Sequence, residues 1–243
     1  MVAKPQIIAM GGGGFLMEPE NLSLDRYVLD ATGLKKPRVC FIPTASGDAQ
    51  TFIDRFYSSF GTLPCVPQHL SLFKPPATDL RSFVLEQDAI YVGGGNTRNL
   101  LVLWREWGLD EILREAWQTG VVMAGLSAGS LCWFEEGVSD SVKAGDLLPI
   151  SSLGFLQGSH CPHYDGEPGR RPAYHRFLQN GSLKAGYAAD DGAALHFIGD
   201  EPWRAVSSRP SAKVYRVRWD GEKIEEIALE THRLSSSIAP SAN

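Results

Sequence analysis

VVMAGLSAGSLCWF, at residues 121–134, carries the clearest fold signal in the chain. An apolar run that is typical of a buried strand leads into a tight turn, and a run compatible with a helix follows at once. Gly125, Ser127 and Gly129 form a GxSxG pattern, which in this setting is typical of a nucleophile elbow that exposes one serine. The segment therefore predicts a strand-turn-helix unit with Ser127 as a candidate nucleophile. A turn whose serine only caps the helix is the alternative.

On both sides of this segment, short apolar runs alternate with amphipathic stretches. Strands are predicted at residues 6–10, 38–42, 65–72, 89–92 and 121–124, and helices at 21–31, 49–60, 97–107 and 109–119. Strands that alternate with helices are typical of a parallel sheet covered by helices. We therefore expect an α/β protein with three layers, α/β/α, and a mostly parallel sheet.

The second half of the chain has a different character. Residues 137–171 are polar and rich in glycine and proline, and we expect a long loop there. A short helix near 173–179 follows, and then strands near 194–198, 203–206 and 213–218. Because no repeat or linker stands out, residues 1–235 are predicted to form a single α/β domain. The small polar residues 236–243 are predicted to be a frayed tail.

Composition argues against several functional classes. The chain has 28 Asp and Glu and 23 Lys and Arg, so its formal net charge is -5. A basic surface for nucleic acid is therefore not expected. The apolar runs are far shorter than the roughly 18 residues that span a membrane, and the N-terminal stretch does not resemble a signal peptide. We therefore expect a cytoplasmic protein that binds neither nucleic acid nor membranes. A homodimer is compatible with the sequence. The cysteines lie far apart without a CxxC pair and are expected to be free buried thiols: Cys40, Cys65, Cys132 and Cys161.

Two further glycine clusters follow predicted strands, GGGG at 11–14 and GGGNT at 93–97. The backbone N–H groups of the second cluster are candidates for half of an oxyanion hole, and Asn96 or Thr97 is a candidate helix cap. Neither cluster has the GxGxxG spacing of a dinucleotide site. Since open α/β sheets bind ligands at the carboxyl ends of their strands, all three glycine clusters are expected to line one crevice.

A serine nucleophile needs a base, and the base needs a group that orients it. His163 in the polar segment is the candidate base, and His160 is the near alternative. Asp190 and Asp191 are candidate orienting acids, although both could simply form a turn. Four possible metal ligands fall within six residues but lack the paired spacing of zinc sites, so neither a metal nor another cofactor is expected: His160, Cys161, His163 and Asp165.

Taken in order, these motifs resemble peptidase family S51, which contains the aspartyl dipeptidases called peptidase E and the cyanophycinases. The resemblance rests on YVGGGNT, GLSAGS, a Pro-His dipeptide and an acid before glycine, and it extends over residues 6–200. It implies a flavodoxin-like fold similar to class I glutamine amidotransferases, with serine in place of the elbow cysteine. It also implies hydrolysis of small peptides, including dipeptides with an N-terminal Asp, through an acyl-enzyme. A cyanophycinase-like hydrolase of β-linked or isoaspartyl peptides, or a non-catalytic amino-acid-binding homologue, is the alternative.

The resemblance implies roles for individual catalytic residues. Ser127 matches the nucleophile, and His163 matches the histidine of the family's NPH segment. Asp191 matches the acid that follows, although peptidase E has glutamate there, so Asp190 stays in competition. Asp140 matches a second family acid and is a rival for the orienting role.

The resemblance also implies how the substrate is held. The backbone N–H groups of Gly95 and Ala128 match the oxyanion donors. Arg170 in EPGR resembles the arginine of the family's GETR segment, which holds the substrate's Asp side chain. Asn96 is a further candidate substrate-binding residue, and a small peptide is the expected partner.

Overall fold

The structure is a computed structural model that describes residues 4–76 and 79–235, so the predicted tail at 236–243 lies outside the described residues. Its helices are α1 (Gly14–Met17), α2 (Ser23–Ala31), α3 (Gln50–Phe60), α4 (Leu80–Leu85), α5 (Thr97–Trp107), α6 (Leu109–Gln118), α7 (Ala128–Leu131) and α8 (Arg170–Gln179). Its strands are β1 (Gln6–Met10), β2 (Arg38–Ile42), β3 (Val66–His69), β4 (Ala89–Val92), β5 (Val122–Leu126), β6 (Phe134–Lys143), β7 (Asp146–Ser151), β8 (Leu156–Cys161), β9 (Gly186–Ala189), β10 (Ala193–Ile198), β11 (Glu201–Ser207), β12 (Val214–Trp219), β13 (Ile224–Ala228) and β14 (Thr231–Arg233).

The larger sheet has eight strands in the order β14-β11-β10-β1-β5-β4-β2-β3. The five strands from β1 to β3 in this order pair in parallel. On the other side of β1, β10 and β11 pair antiparallel, and β14 is parallel to β11. The mostly parallel central part agrees with the sequence prediction.

Helices cover both faces of this sheet because alternate strand residues point to opposite faces. Ile7 belongs to a buried cluster that includes residues of α5 and α6. Its neighbour Ile8 belongs to a second cluster that includes residues of α2 and α3. Both side chains are fully buried. The predicted α/β/α architecture is confirmed.

The predicted elements of the first half lie close to the observed ones. The bounds of β1, β2, β4 and α5 coincide with their predicted ranges, whereas β3 is shorter than residues 65–72. The short helices α1 and α4 were not predicted. The four cysteines are free and buried, which confirms that prediction.

A second sheet of six strands, in the order β13-β12-β9-β8-β6-β7, was also not predicted. Strands β6, β7 and β8 occupy much of the segment 137–171, so the prediction of one long loop there is wrong. The physical reason is that β7 is only partly buried along nearly its whole length. Such a strand lacks the period-2 apolar pattern that identifies a strand from sequence.

The two sheets join next to the carboxyl end of β1. Strand β9 of the smaller sheet leads through residues 190–192 directly into β10 of the larger sheet. An isolated bridge pairs Gly12 with Asp191 at this junction. Within the described residues, none of the helices combines the length and the apolar character needed to cross a bilayer.

Candidate active site

Ser127 lies on the sharp turn between β5 and α7. Its φ of 56° and ψ of -118° are a conformation that non-glycine residues rarely adopt. The turn depends on the flanking glycines, since a Cβ on Gly125 would lie 2.2 Å from the carbonyl oxygen of Gly129. Ser127 is partly exposed while its neighbours on both sides are buried. The serine is therefore the accessible residue of the elbow.

The carboxyl end of β1 holds three distant segments of the chain together. The consecutive carbonyl oxygens of residues 10, 11 and 12 accept hydrogen bonds from the backbone N–H groups of Ser127 (3.2 Å), His163 (3.3 Å) and Gly192 (3.0 Å), in that order. Gly192 directly follows Asp191. Residues 10–12 thus bring the elbow, the histidine segment and the acid segment to one place.

His163 and Asp191 form a hydrogen-bonded pair. His163 Nδ1 lies 2.6 Å from Asp191 Oδ1, and each side chain is 12% exposed. Burial raises the pKa of the Asp191 carboxyl, but the hydrogen bond from His163 and the charges of His163, Arg209 and Arg170 together outweigh it, so the pKa lies below its ordinary value. Because the ionised carboxylate only accepts, Nδ1 carries the proton and Nε2 is left as the basic nitrogen.

Asp165 holds the acid in place. Its Oδ1 accepts a hydrogen bond of 2.8 Å from the backbone N–H of Asp191. From the sequence, Asp165 is considered only as a possible metal ligand. An acid two positions after a histidine does not indicate a hydrogen bond to the backbone of Asp191. This residue was therefore missed as part of the site.

Among the described residues, the His163 side chain forms a hydrogen bond to Asp191 and none to Ser127 Oγ. Catalytic hydrogen bonds are often long without substrate and tighten when it binds. One glycine of each cluster comes close to one of these two side chains. A Cβ on Gly12 would lie 3.0 Å from His163 Cε1, and one on Gly94 would lie 3.6 Å from Ser127 Oγ.

Asp190 points away from His163. Its Oδ2 accepts a hydrogen bond of 2.9 Å from the backbone N–H of Lys213 and one of 3.4 Å from the Tyr215 hydroxyl. Burial raises the pKa of this carboxyl to about 6. Of the two adjacent aspartates, it is the second that contacts the histidine.

Arg170 and Asp140 lie near each other. Arg170 Nη2 is 3.8 Å from Asp140 Oδ1, and the Asp140 side chain is 64% exposed. The Arg170 guanidinium is buried, donating from Nε to Glu167 Oε2 at 2.6 Å and from Nη1 to the Val138 carbonyl at 2.8 Å. Two of its five N–H donors are therefore engaged within the protein.

The candidate oxyanion donors follow two neighbouring parallel strands. Gly95 has a φ of 136°, and a Cβ there would lie 2.3 Å from the carbonyl oxygen of Ala45, so this turn requires glycine. Ala128 is the first residue of α7, where the helix itself offers no acceptor for the N–H group. Neither N–H group is a donor in the turn and loop hydrogen bonds of the described residues.

Asn96 caps α5. Its Oδ1 accepts a hydrogen bond of 2.8 Å from the backbone N–H of Asn99. The carbonyl oxygen of this side chain is therefore engaged in the helix cap.

The four possible metal ligands of the 160–165 segment do not converge. His160 faces Ser130, whereas His163 faces Asp191. Within residues 4–76 and 79–235, no three His, Cys, Asp or Glu side chains are arranged to hold a metal ion.

Comparison with known proteins identifies the family of the chain. The sequence model of peptidase family S51 matches residues 7–203. The chain belongs to peptidase family S51. A curated relative, the uncharacterized peptidase YgaJ of Bacillus subtilis (strain 168), is 68% identical over 224 residues, which cover 92% of this chain and 96% of YgaJ.

More distant S51-related proteins agree with this assignment. Peptidase E of Streptomyces coelicolor is 29% identical over 139 residues, 54% of each chain. The crystal structure of a peptidase from an acI-B1 Actinobacterium has a TM-score of 0.70 at 19% identity and covers 94% of this chain and 98% of its own. At that identity the likeness concerns the fold, which is the class I glutamine amidotransferase-like fold that the sequence predicts. Family membership and these relatives support assignment of the chain as a peptidase.

Proposed function

We propose that this S51 family member is a serine peptidase that hydrolyses small peptides through an acyl-enzyme on Ser127. The observation that carries the proposal is the convergence on residues 10–12, whose carbonyls bind the elbow serine, His163 and the segment of Asp191. A serine, a histidine and an acid brought to one crevice from three segments are the parts that acyl transfer requires.

In the proposed reaction, Ser127 Oγ attacks the scissile carbonyl while His163 Nε2 takes the hydroxyl proton. His163 then returns the proton to the leaving amine, so that the amine product departs and the acyl group remains on the serine. Water then attacks this ester while His163 Nε2 takes its proton, and His163 returns that proton to Ser127 Oγ as the ester bond breaks and the acid product leaves. Asp191 keeps the proton on Nδ1 and stabilises the imidazolium that forms.

The tetrahedral intermediate carries a negative oxygen that needs donors. The N–H groups of Gly95 and Ala128 are proposed to supply them, since Ala128 directly follows Ser127 and Gly95 follows Gly94, where a Cβ would lie 3.2 Å from Ser127 Cβ. Loss of one such donor commonly lowers turnover by about 100- to 1000-fold.

The proposed substrates are dipeptides and other short peptides. The side chain of an N-terminal Asp would bind to Arg170, because the planar guanidinium can form paired hydrogen bonds with a carboxylate. Since Nε already donates to Glu167 and Nη1 to the carbonyl of Val138, the N–H groups of Nη2, 3.8 Å from Asp140 Oδ1, are those left for a substrate carboxylate. A preference for Asp-X over Ala-X dipeptides is therefore the measurement that tests this role.

The proposal is tested with Asp-X, Ala-X and β-aspartyl dipeptides and with a fluorophosphonate probe. We expect the wild type and a control variant at an exposed helical serine, Ser58→Ala, to cleave a dipeptide and to be labelled, and Ser127→Ala to do neither. Undiminished hydrolysis by Ser127→Ala would show that Ser127 is not the nucleophile. Cleavage of β-aspartyl peptides alone would favour the cyanophycinase-like alternative. A wild type that neither cleaves nor reacts would favour an amino-acid-binding homologue.

A further inference from the structure

Directly beneath the elbow lies a second serine-histidine pair, Ser130 and His160. Ser130 Oγ is 3.0 Å from His160 Nε2, and His160 Nδ1 is 3.2 Å from the carbonyl oxygen of Tyr187. The His160 ring stacks on Phe134 with 4.6 Å between the ring centroids. Ser130 and His160 are 0% and 1% exposed, so neither residue can touch a substrate.

The partners of His160 define which group donates in the hydrogen bond between Ser130 and His160. A carbonyl oxygen only accepts, so His160 Nδ1 carries the proton and donates to Tyr187. Burial lowers the pKa of His160 to about 3, and the ring is neutral at neutral pH. Its Nε2 therefore accepts from the Ser130 hydroxyl. The same hydroxyl also donates toward the Ser127 carbonyl at 2.8 Å, which accepts two backbone N–H groups at 3.0 Å as well, so the Ser130 hydroxyl lies between His160 and the elbow serine.

The pair joins the two segments that carry the proposed nucleophile and base. Ser130 lies on α7, the helix that begins directly after Ser127. His160 lies on β8, and His163 follows two residues after the end of that strand. Strand β8 belongs to the smaller sheet, whereas the elbow extends the larger one. The bond between Ser130 and His160 thus spans the boundary between the sheets at the level of the site.

Both proposed catalytic residues sit in backbone conformations that need outside support. Ser127 has a φ of 56° and His163 a φ of 54°, in the left-handed region that non-glycine residues seldom occupy. Strained residues of this kind persist only where surrounding contacts over-determine them. A directional hydrogen bond between α7 and β8 supplies such a contact for both segments at once.

We propose that Ser130 and His160 are positioning residues that hold the Ser127 elbow and the His163 segment in register. This inference rests on the proposed function. The pair acts on the reaction only through Ser127 and His163. Misplacement of reacting groups by about 1 Å can cost on the order of 100-fold in rate, so a small shift between the two segments is enough to be measured.

Two substitutions of His160 separate its hydrogen bonds. By chain length, the amide of Gln reaches the position of Nε2 and can accept from Ser130, whereas the amide of Asn reaches only the position of Nδ1 and can donate to Tyr187. We expect Ser130→Ala and His160→Asn to lower kcat by about 10- to 100-fold with little change in KM. His160→Gln should retain more of the wild-type kcat than His160→Asn. The rate of fluorophosphonate labelling of Ser127 should fall in parallel.

The unfolding midpoints of all variants provide the structural control. If Ser130→Ala does not fold, the comparison of His160→Gln with His160→Asn still decides. Equal kcat and equal labelling rates in wild type, Ser130→Ala and His160→Asn would overturn the positioning role, whatever their stabilities. A wild type that neither cleaves nor reacts would instead overturn the proposed function and, with it, this inference.

Discussion

Asp25 carries a fully buried carboxyl group on α2, and its replacement by asparagine should change how stability depends on pH. Its Oδ1 accepts a hydrogen bond of 3.2 Å from the backbone N–H of Phe15. Its Oδ2 has no hydrogen-bond partner among the described residues, although the Tyr91 hydroxyl lies close enough to the carboxyl to lower its pKa. Burial raises the pKa of this carboxyl from 3.8 to about 6. The carboxyl group thus holds the backbone that follows the glycines after β1, but its ionised form is unfavourable because it is buried.

The sign of the effect follows from linkage. A carboxyl whose pKa is raised in the folded state contributes stability that is fully present below about pH 4 and is lost as the pH rises through about 6. A change of one in a pKa corresponds to about 1.4 kcal/mol. The rise in the pKa from 3.8 to about 6 therefore corresponds to a loss of about 3 kcal/mol in the free energy of unfolding. Roughly half of that loss falls above pH 5.

The Asp25→Asn variant can still accept the hydrogen bond from Phe15 but cannot ionise. We therefore expect its free energy of unfolding, relative to wild type, to rise by about 2 to 3 kcal/mol between pH 4 and pH 8. Urea unfolding followed by tryptophan fluorescence measures this difference at each pH. The control is Asp30→Asn, at an exposed aspartate on the same helix, which should follow the wild type. Parallel curves for Asp25→Asn and wild type over the whole range would refute the reasoning.

Two substitutions test the geometry around His163. Asp191→Asn keeps the shape of the side chain but allows the wrong histidine tautomer, so kcat should fall by about 10⁴-fold while the unfolding midpoint changes little; a loss of less than about 10-fold would contradict the orienting role. Gly12→Ala would place a Cβ 2.1 Å from Asp191 Oδ1, so dipeptide hydrolysis should be lost through displacement of the pair. Gly169→Ala, whose Cβ would meet Leu147 Cδ1 at 3.2 Å, is the control, and equal activities of the two alanine variants would count against this geometry.

The elements that the sequence predicts well are those with a strong local pattern. Strands β1, β2 and β4 are buried along nearly their whole length, and glycine or proline follows each of them. Strands β6 and β7 of the smaller sheet have no such pattern, because β7 is only partly buried and six of the ten residues of β6 are exposed or partly exposed. Their pairing is determined by partners that lie elsewhere in the chain, so a window of neighbouring residues does not contain the information.

The choice of acid shows the same limit at the scale of single residues. Asp190 and Asp191 are adjacent, and successive side chains of an extended chain point in opposite directions. Nothing in their identity distinguishes them. The chain crosses from β9 to β10 at this point, and the crossing turns Asp191 toward His163 and Asp190 toward the backbone of Lys213.

By itself, the sequence determined the α/β architecture, the family resemblance and the position of Ser127 on an elbow. These features follow from sterics and apolar spacing within a few consecutive residues. Only the tertiary structure decided that His163 pairs with Asp191, that the Arg170 guanidinium is engaged by Glu167, and that Ser130 contacts His160. The histidine contacts join residues 28 and 30 positions apart, and they exist because the two sheets meet at the carboxyl end of β1. Local sequence encodes each segment, whereas the way the sheets join decides which side chains face each other.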